Sequence, residues 1–387
     1  MTKITDLDAL VAFRRDLHRH PELGFEEHRT SAAIAERLRA LGLEVTTGIA
    51  STGIVATLRA KDDDKGRSVG LRADIDALAM PEASGKPWAS ETAGRMHACG
   101  HDGHTTMLLG AAQILAADPP PSGTVHFIFQ PAEEGRGGAR RMVEEGLFTR
   151  FPCDHVFGLH NMPGMACDAM AVVPGPQLAS SDSWRVTFRG IGSHGAKPHQ
   201  GRDALTASAQ FVAALQTIPG RVVDPLQPAI VSACAMSAGD MNALNVIPAQ
   251  VEIGGTARAF SPDVRDQLET EIGRLANGIA SAMAVEVDYQ FIRRIPPVIN
   301  NATATAIALE AARSVSAHVD TAFAPSTAGD DFAIFGQQVP GAYVWLGNGP
   351  AVAGALHHNP GYDFNDDAIP TGIAFWVEVA RRALARD

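Results

Sequence analysis

A chain of 387 residues with 45% hydrophobic and 19% charged residues is too long for one ordinary core and too apolar for disorder. Its formal net charge of -11 argues against nucleic acid as the main partner, because phosphate-binding domains carry a basic excess. No stretch approaches the roughly 18 apolar residues of a membrane span, and the N-terminal MTKITDLDALVAFRRDL has acidic residues where a secretion signal needs an apolar core, so a cytoplasmic location is expected.

In chain order, Leu7, Leu10, Val11, Phe13 and Leu17 make a helical apolar stripe. Thr30 is a candidate cap for a second helix, SAAIAERLRAL, with Gly42 just past its end. GIVATLRA and SVGLRADI read as strands, separated by Lys61-Asp-Asp-Asp-Lys65, a solvated turn. A helix is expected over 104–116, and TVHFIFQ (124–130) reads as a strand buried on both faces. This first part is therefore expected to be an α/β sandwich with a largely parallel sheet. Beyond about residue 180, SDSWRVTFRG, DALTASAQFVAALQTI, AIVSACAMSAG, QVEIGGTARAF, a helix near 262–282 and AVEVDYQFI spell β-α-β-β-α-β, ended by Pro296-Pro297. AYVWLGN and a helix near 367–385 return to the character of the start. The expected domains are thus 1–181 with 295–387, and an inserted 182–294.

Four cysteines are too few for a disulfide scaffold, and Cys153, Cys167 and Cys234 read as small apolar groups. Cys99 differs, because His97-Ala-Cys99-Gly-His101-Asp102-Gly-His104 holds three of the 14 histidines. Read as extended chain, Cys99 and His101 share a face, and thiolate with imidazole suits a divalent transition metal. Alone, such a pair is as readily a hydrogen-bonded loop. Gln130-Pro-Ala-Glu133-Glu134-Gly135 follows the buried strand, where α/β proteins place their sites. Adjacent carboxylates point opposite ways, so one can bind metal while its neighbour faces a water as general base. Alone, it is an exposed acidic turn. His160 ends the strand VFGLH, and His357-His358 lie in a Gly/Pro-rich loop after AYVWLGNG. Four ligand-bearing segments at strand ends make a metal site the better account.

One segment points elsewhere. Gly190-Ile-Gly192-Ser-His-Gly195 matches GxGxxG after a strand, which raises the alternative of a dinucleotide-dependent oxidoreductase. The acid expected about 20 positions on is missing from Gln210–Leu215, and Pro198 sits where the phosphate-binding helix should begin.

Taken together, LHRHPELGFEEHRTS, LRADIDAL, MHACGHDGHTTMLLGAA, FQPAEEGRGGARRMVEEGLF, GLHNMPG, GSHGAKPHQGRDAL, NVIPAQVEIGGTAR and HHNPGYDFNDDAIP run nearly end to end. This series resembles the metal-dependent amidohydrolases that include hippurate hydrolase, N-acyl-amino-acid amidohydrolases and auxin-conjugate hydrolases. The resemblance implies an α/β, di-metal aminopeptidase-like catalytic domain, a mixed sheet flanked by helices, with an inserted α+β lid and dimerisation domain. It implies Cys99, His101, Glu134, His160 and His358 as metal ligands and Glu133 as general acid/base acting on a metal-activated water. His358 is preferred to His357 because the family pattern puts a proline two residues after the ligand, which Pro360 fits. Asp74 and Asp76 match a motif beside the site. His194 is implied as a catalytic group, and Asn245 and Arg258 as substrate contacts, reaching the pocket across a homodimer interface. Two divalent ions per subunit, manganese or zinc with cobalt or nickel also compatible, and a small N-acyl amino acid substrate follow from the same resemblance. Related peptidases use a bridging aspartate where this chain has Cys99, so general exopeptidase activity is not implied. A non-catalytic binding protein on the same fold is disfavoured, because every chemical position is filled.

Overall fold

The computed structural model describes residues 6–60, 66–350 and 356–385, so the Lys61–Lys65 run lies outside the described residues. These fall into two compact units. One runs to Gly175 and resumes over Ile299–Ala324 and from Asp330; the other is Pro176–Val298 with Pro325–Gly329. The sequence boundaries at 181/182 and 294/295 therefore differ from those of the structure. Pro325–Gly329 groups with the second unit because Ala179 N–H donates to the carbonyls of Ser326 and Ala328.

In the first unit, Asp6 caps α1 (Leu7–Arg19) by accepting from Ala9 N, and Leu10, Phe13 and Leu17 turn inward. Helix α2 (His28–Ala40) starts earlier than the expected Thr30 cap, and Gly42, at φ 77°, follows its end. The Glu27 side chain at its start does not cap it but turns inward. The chain then builds β1 (Glu44–Ile49), β2 (Gly53–Arg59), β3 (Ser68–Asp74), α3 (His101–Ala117), β4 (Thr124–Gln130), α4 (Gly138–Glu144), α5 (Leu147–Arg150), β5 (His155–Met162) and β6 (Ala169–Ala171). Strands β7 (Gly175–Leu178) and β14 (Val298–Asn300) mark the passages between units. After the second passage come α8 (Ala302–Val315), β15 (His318–Asp320), α9 (Phe332–Gly336), β16 (Gly341–Gly347) and α10 (Ile369–Leu384).

The eight strands are ordered β1-β2-β4-β3-β5-β16-β6-β15. Only the central run β4-β3-β5-β16 is continuously parallel; β1, β2 and β6 pair antiparallel with inner neighbours, so the sheet is mixed rather than largely parallel. All seven residues of β4 and of β16 are buried, as parallel strands covered on both faces require. Phe127, Phe129, Phe157, Leu108 and Trp376 join the sheet to its helices in one core, each contributing roughly 1.5–3 kcal/mol. That core holds the carboxyl ends of β3, β4 and β5 at one edge.

The second unit contains β8 (Ser181–Arg189), β9 (Ser193–His194), α6 (Ala204–Leu215), β10 (Ala229–Ala238), β11 (Val246–Ile247), β12 (Gln250–Ala259), α7 (Pro262–Met283) and β13 (Glu286–Ile295). Its antiparallel sheet is ordered β10-β12-β8-β13, and Trp184, Phe188, Phe211, Leu268 and Ile272 fill the core beneath α6 and α7. The GxGxxG segment is no dinucleotide cradle. Ser193 and His194 pair with Ile247 and Val246, and only a 3-10 turn at Pro198–Gln200 precedes α6. Gly190 is there because a Cβ would stand 2.0 Å from the Arg202 carbonyl oxygen. The oxidoreductase alternative loses its only support.

Candidate metal centre

Cys99 and His101 do converge, but not through extended chain. Gly100 adopts φ 93° and starts α3, so a left-handed turn brings the two side chains together. Only glycine fits there: a Cβ would come within 2.5 Å of Asn161 Oδ1 and 2.6 Å of the Tyr362 hydroxyl.

Three overlapping sets of donor atoms meet at this strand edge, each within 4.8 Å: Cys99, His101 and His160; Cys99, Glu134 and His358; His101, Glu133 and Glu134. Cys99 Sγ lies 3.4 Å from His160 Nε2, and Glu134 Oε1 lies 3.3 Å from His358 Nε2. Backbone acceptors fix the tautomers. His101 Nδ1–H donates to the Asp76 carbonyl at 2.9 Å, and His160 Nδ1–H to the Asn161 carbonyl at 2.8 Å, leaving each Nε2 with its lone pair. His101 Nε2 is buried without a hydrogen-bond partner. Burial, with the charge of Glu134, pushes the Cys99 thiol up, so a thiolate here needs a compensating cation. An orphaned imidazole nitrogen, a buried thiol and a carboxylate are the donor set of a divalent transition metal. The residues fit the group.

The adjacent histidines separate clearly. His358 takes φ 60° and is raised to about 10 by hydrogen bonds with Cys99 and Glu134. Burial lowers His357 to about 3, and its ring packs on His160 at 5.1 Å and Tyr362 at 5.4 Å. His358 is the one facing the anionic donors. His104, although in the same motif, has both ring nitrogens occupied, by Asp74 Oδ1 at 2.6 Å and Asn161 Oδ1 at 2.8 Å. Asp76 carries a double duty: besides orienting His101, its Oδ2 accepts from Glu134 N at 3.0 Å.

Glu133 is buried and forms a third acidic set with Asp330 and Asp331. Burial first, and then Asp330, Glu134 and Asp331, hold its carboxyl well above the usual range. Behind it lies a network that the sequence reading missed. Arg72, fully buried, donates to Gln130 Oε1 at 2.8 Å, Asp74 Oδ2 at 2.8 Å and Asp330 Oδ1 at 2.9 Å. Gln130 Nε2 and Ala139 N in turn donate to the two oxygens of Asp331, at 2.7 and 2.9 Å. The signal was a lone arginine inside an apolar strand and an acidic pair before FAIF.

Glu27 supports the turn from the other side, accepting from Ala132 N at 2.8 Å and Thr52 Oγ1 at 2.5 Å. Burial pushes its carboxyl up to about 7 from 4.5. Such an acid keeps its proton longer in the native state, so it costs stability as pH rises from about 4.5 to about 7. Across that window the wild type is expected to lose on the order of 3 kcal/mol relative to Glu27→Gln. Thermal unfolding of both proteins reads this; a difference independent of pH would refute it.

In the second unit, His194 and Asn245 are brought side by side by the β9–β11 pair, where Gly195 N–H donates to the Asn245 carbonyl at 2.7 Å. His194 Nδ1 accepts from Ala196 N at 3.0 Å, which leaves Nε2–H as an exposed donor. Arg258 stands apart from them on β12, half-buried and with no ion-pair partner among the described residues. Burial lowers its pKa.

Comparison with known proteins agrees with this donor chemistry. Residues 70–382 match Peptidase family M20/M25/M40. Hippurate hydrolase of Campylobacter jejuni is 38% identical over 96% of this chain and 95% of its own. N-acetyl-L-cysteine deacetylase of Bacillus subtilis is 36% identical over 97% of this chain and 88% of its own. The crystal structure of the Bacillus subtilis YXEP protein, described as a dinuclear metal binding peptidase from the M20 family, is 32% identical, covers 98% of both chains and superposes with a TM-score of 0.84.

Proposed function

We propose, from the premise that the chain belongs to peptidase family M20/M25/M40 and is a metal-dependent amidohydrolase, that it cleaves the amide bond of N-acyl amino acids of the hippurate type. The observation that carries this reading is the convergence of Cys99, His101, Glu134, His160 and His358 on one strand edge, with Glu133 beside them. In our reading those five side chains hold two divalent cations, manganese or zinc, as the dinuclear relative suggests. When bound, the cations supply Lewis acidity to an amide carbonyl and acidify a water.

The chain's own residues do the rest. Glu133 takes a proton from that water and returns it to the leaving nitrogen, a role suited by a pKa raised toward neutrality. Asp76 keeps His101 in one tautomer and holds the Glu134 backbone, so ligand and base stay in fixed relation. His194, with Nε2–H free, is the donor we assign to the developing oxyanion, and Asn245 lies beside it. We also assign the second unit a homodimer contact. In support, Met241, Leu244 and Leu226 are 81–88% exposed there, an unusual cost for a lone chain.

Arg258 is the carboxylate reader in this scheme, since an unpaired, half-buried guanidinium offers a planar fork to a carboxylate. Arg258→Ala is expected to lower kcat/KM for an N-acyl amino acid by about 10–150-fold, and far less for its carboxamide. Equal losses on both substrates would remove Arg258 from carboxylate recognition.

A further inference from the structure

A groove of about 600 Å³ opens beyond the end of β5, walled by Met162, Met165, Met170, Val319 and Phe323. It adjoins the donor cluster along two routes. Met162 lies two residues past His160 on the same strand, so both side chains leave one face of the sheet, with backbones about 7 Å apart. Trp345 is in register with His160 across β5 and β16, and its ring stands 5.8 Å from the imidazole. Phe323 continues the ladder, 6.2 Å from Trp345. Ring by ring, the ligand His160 leads to the groove wall.

We propose that this groove is the acyl subsite, holding the apolar acyl group of the scissile amide and favouring groups larger than acetyl. The proposal rests on the amidohydrolase reading above. The two halves of an N-acyl amino acid make opposite demands. The amino-acid half carries a carboxylate, yet no lysine or arginine lines the groove among the described residues. Methionine, valine and phenylalanine offer dispersion and dehydration only, which suits the acyl half. The volume narrows the class further: an acetyl methyl leaves most of 600 Å³ unfilled, whereas a phenyl ring or a medium linear chain uses it. Three methionines, unbranched and polarizable, let the same wall fit either shape.

The test compares N-acetyl, N-benzoyl and N-octanoyl derivatives of one amino acid on the metal-loaded protein. The variants are Met165→Gln, which is nearly isosteric, and Val319→Trp, which fills the groove. Each buried methylene changes kcat/KM by about fourfold, so the octanoyl-to-acetyl and benzoyl-to-acetyl ratios are expected to fall at least about tenfold in both variants. Unchanged ratios in both would overturn the proposal while leaving amide hydrolysis intact. Calorimetric binding of octanoate against acetate separates the two readings. If the wild type hydrolyses none of the three compounds, the amidohydrolase reading fails. The groove assignment then stands only if octanoate binding still weakens at least about tenfold in both variants, and falls if it does not.

Discussion

Glu133→Gln is expected to keep its full complement of cations and to lose about 10²–10⁴ of turnover. The substitution preserves shape and leaves every donor of the five-residue set in place, but an amide cannot take a proton from water. Its surroundings make the loss specific. Glu133 is 7% exposed, so bulk water has little access with which to replace it as a base. The neighbouring Glu134→Gln should behave differently, because Glu134 stands 3.3 Å from His358 and within the Cys99 set. There, metal content and turnover should fall together. Metal analysis run beside kcat on the two variants distinguishes base from ligand. Wild-type turnover in metal-loaded Glu133→Gln would remove that residue from the chemistry.

Arg72→Met should cost about 3–5 kcal/mol of stability, the usual consequence of stranding a buried charge. Arg72 is fully buried and faces Asp74, Asp330 and Asp331, so its removal leaves three carboxylates in the interior with one cation fewer. At roughly 2–4 °C per kcal/mol, the melting temperature should drop by about 10 °C. Adding Asp330→Asn should restore part of that loss, since it removes one of the stranded charges. A single variant that melts with the wild type would mean that the network carries no net stability. Glu133 shares its acidic set with Asp330 and Asp331, so the network supports the base as well as the core.

Much of the site was legible because its residues are punctuated by turn chemistry and strand ends. Cys99-Gly-His101 and Glu133-Glu134 stand where apolar runs stop, and side chains at the carboxyl ends of parallel strands have nowhere to converge but above the sheet. The local path was less legible. Spacing alone suggested an extended Cys99–His101, whereas Gly100 turns the chain at φ 93° and starts α3 there. A glycine between two ligands permits either conformation, and only the contacts with Asn161 and Tyr362 decide. Thr30 was a sound cap by propensity, but Glu27 is drawn inward to the Ala132 turn, and the helix starts beside it. Arg72 and the Asp330-Asp331 pair are 258 and 259 positions apart, and no local pattern relates them. The mixed sheet was hidden for a similar reason. Residues on a buried strand read alike whether their neighbour runs parallel or antiparallel, so β2 and β6 gave no sign of direction.

The central claim is that cations held by Cys99, His101, Glu134, His160 and His358 make this chain an amidohydrolase. Titrating the metal-free protein with manganese or zinc, and reading hydrolysis of an N-acyl amino acid at each addition, tests it most directly. Turnover should be absent at the start, rise with added cation, and level off near two per chain, as in a dinuclear relative. Full turnover in the metal-free protein, unchanged by added metal, would contradict the account.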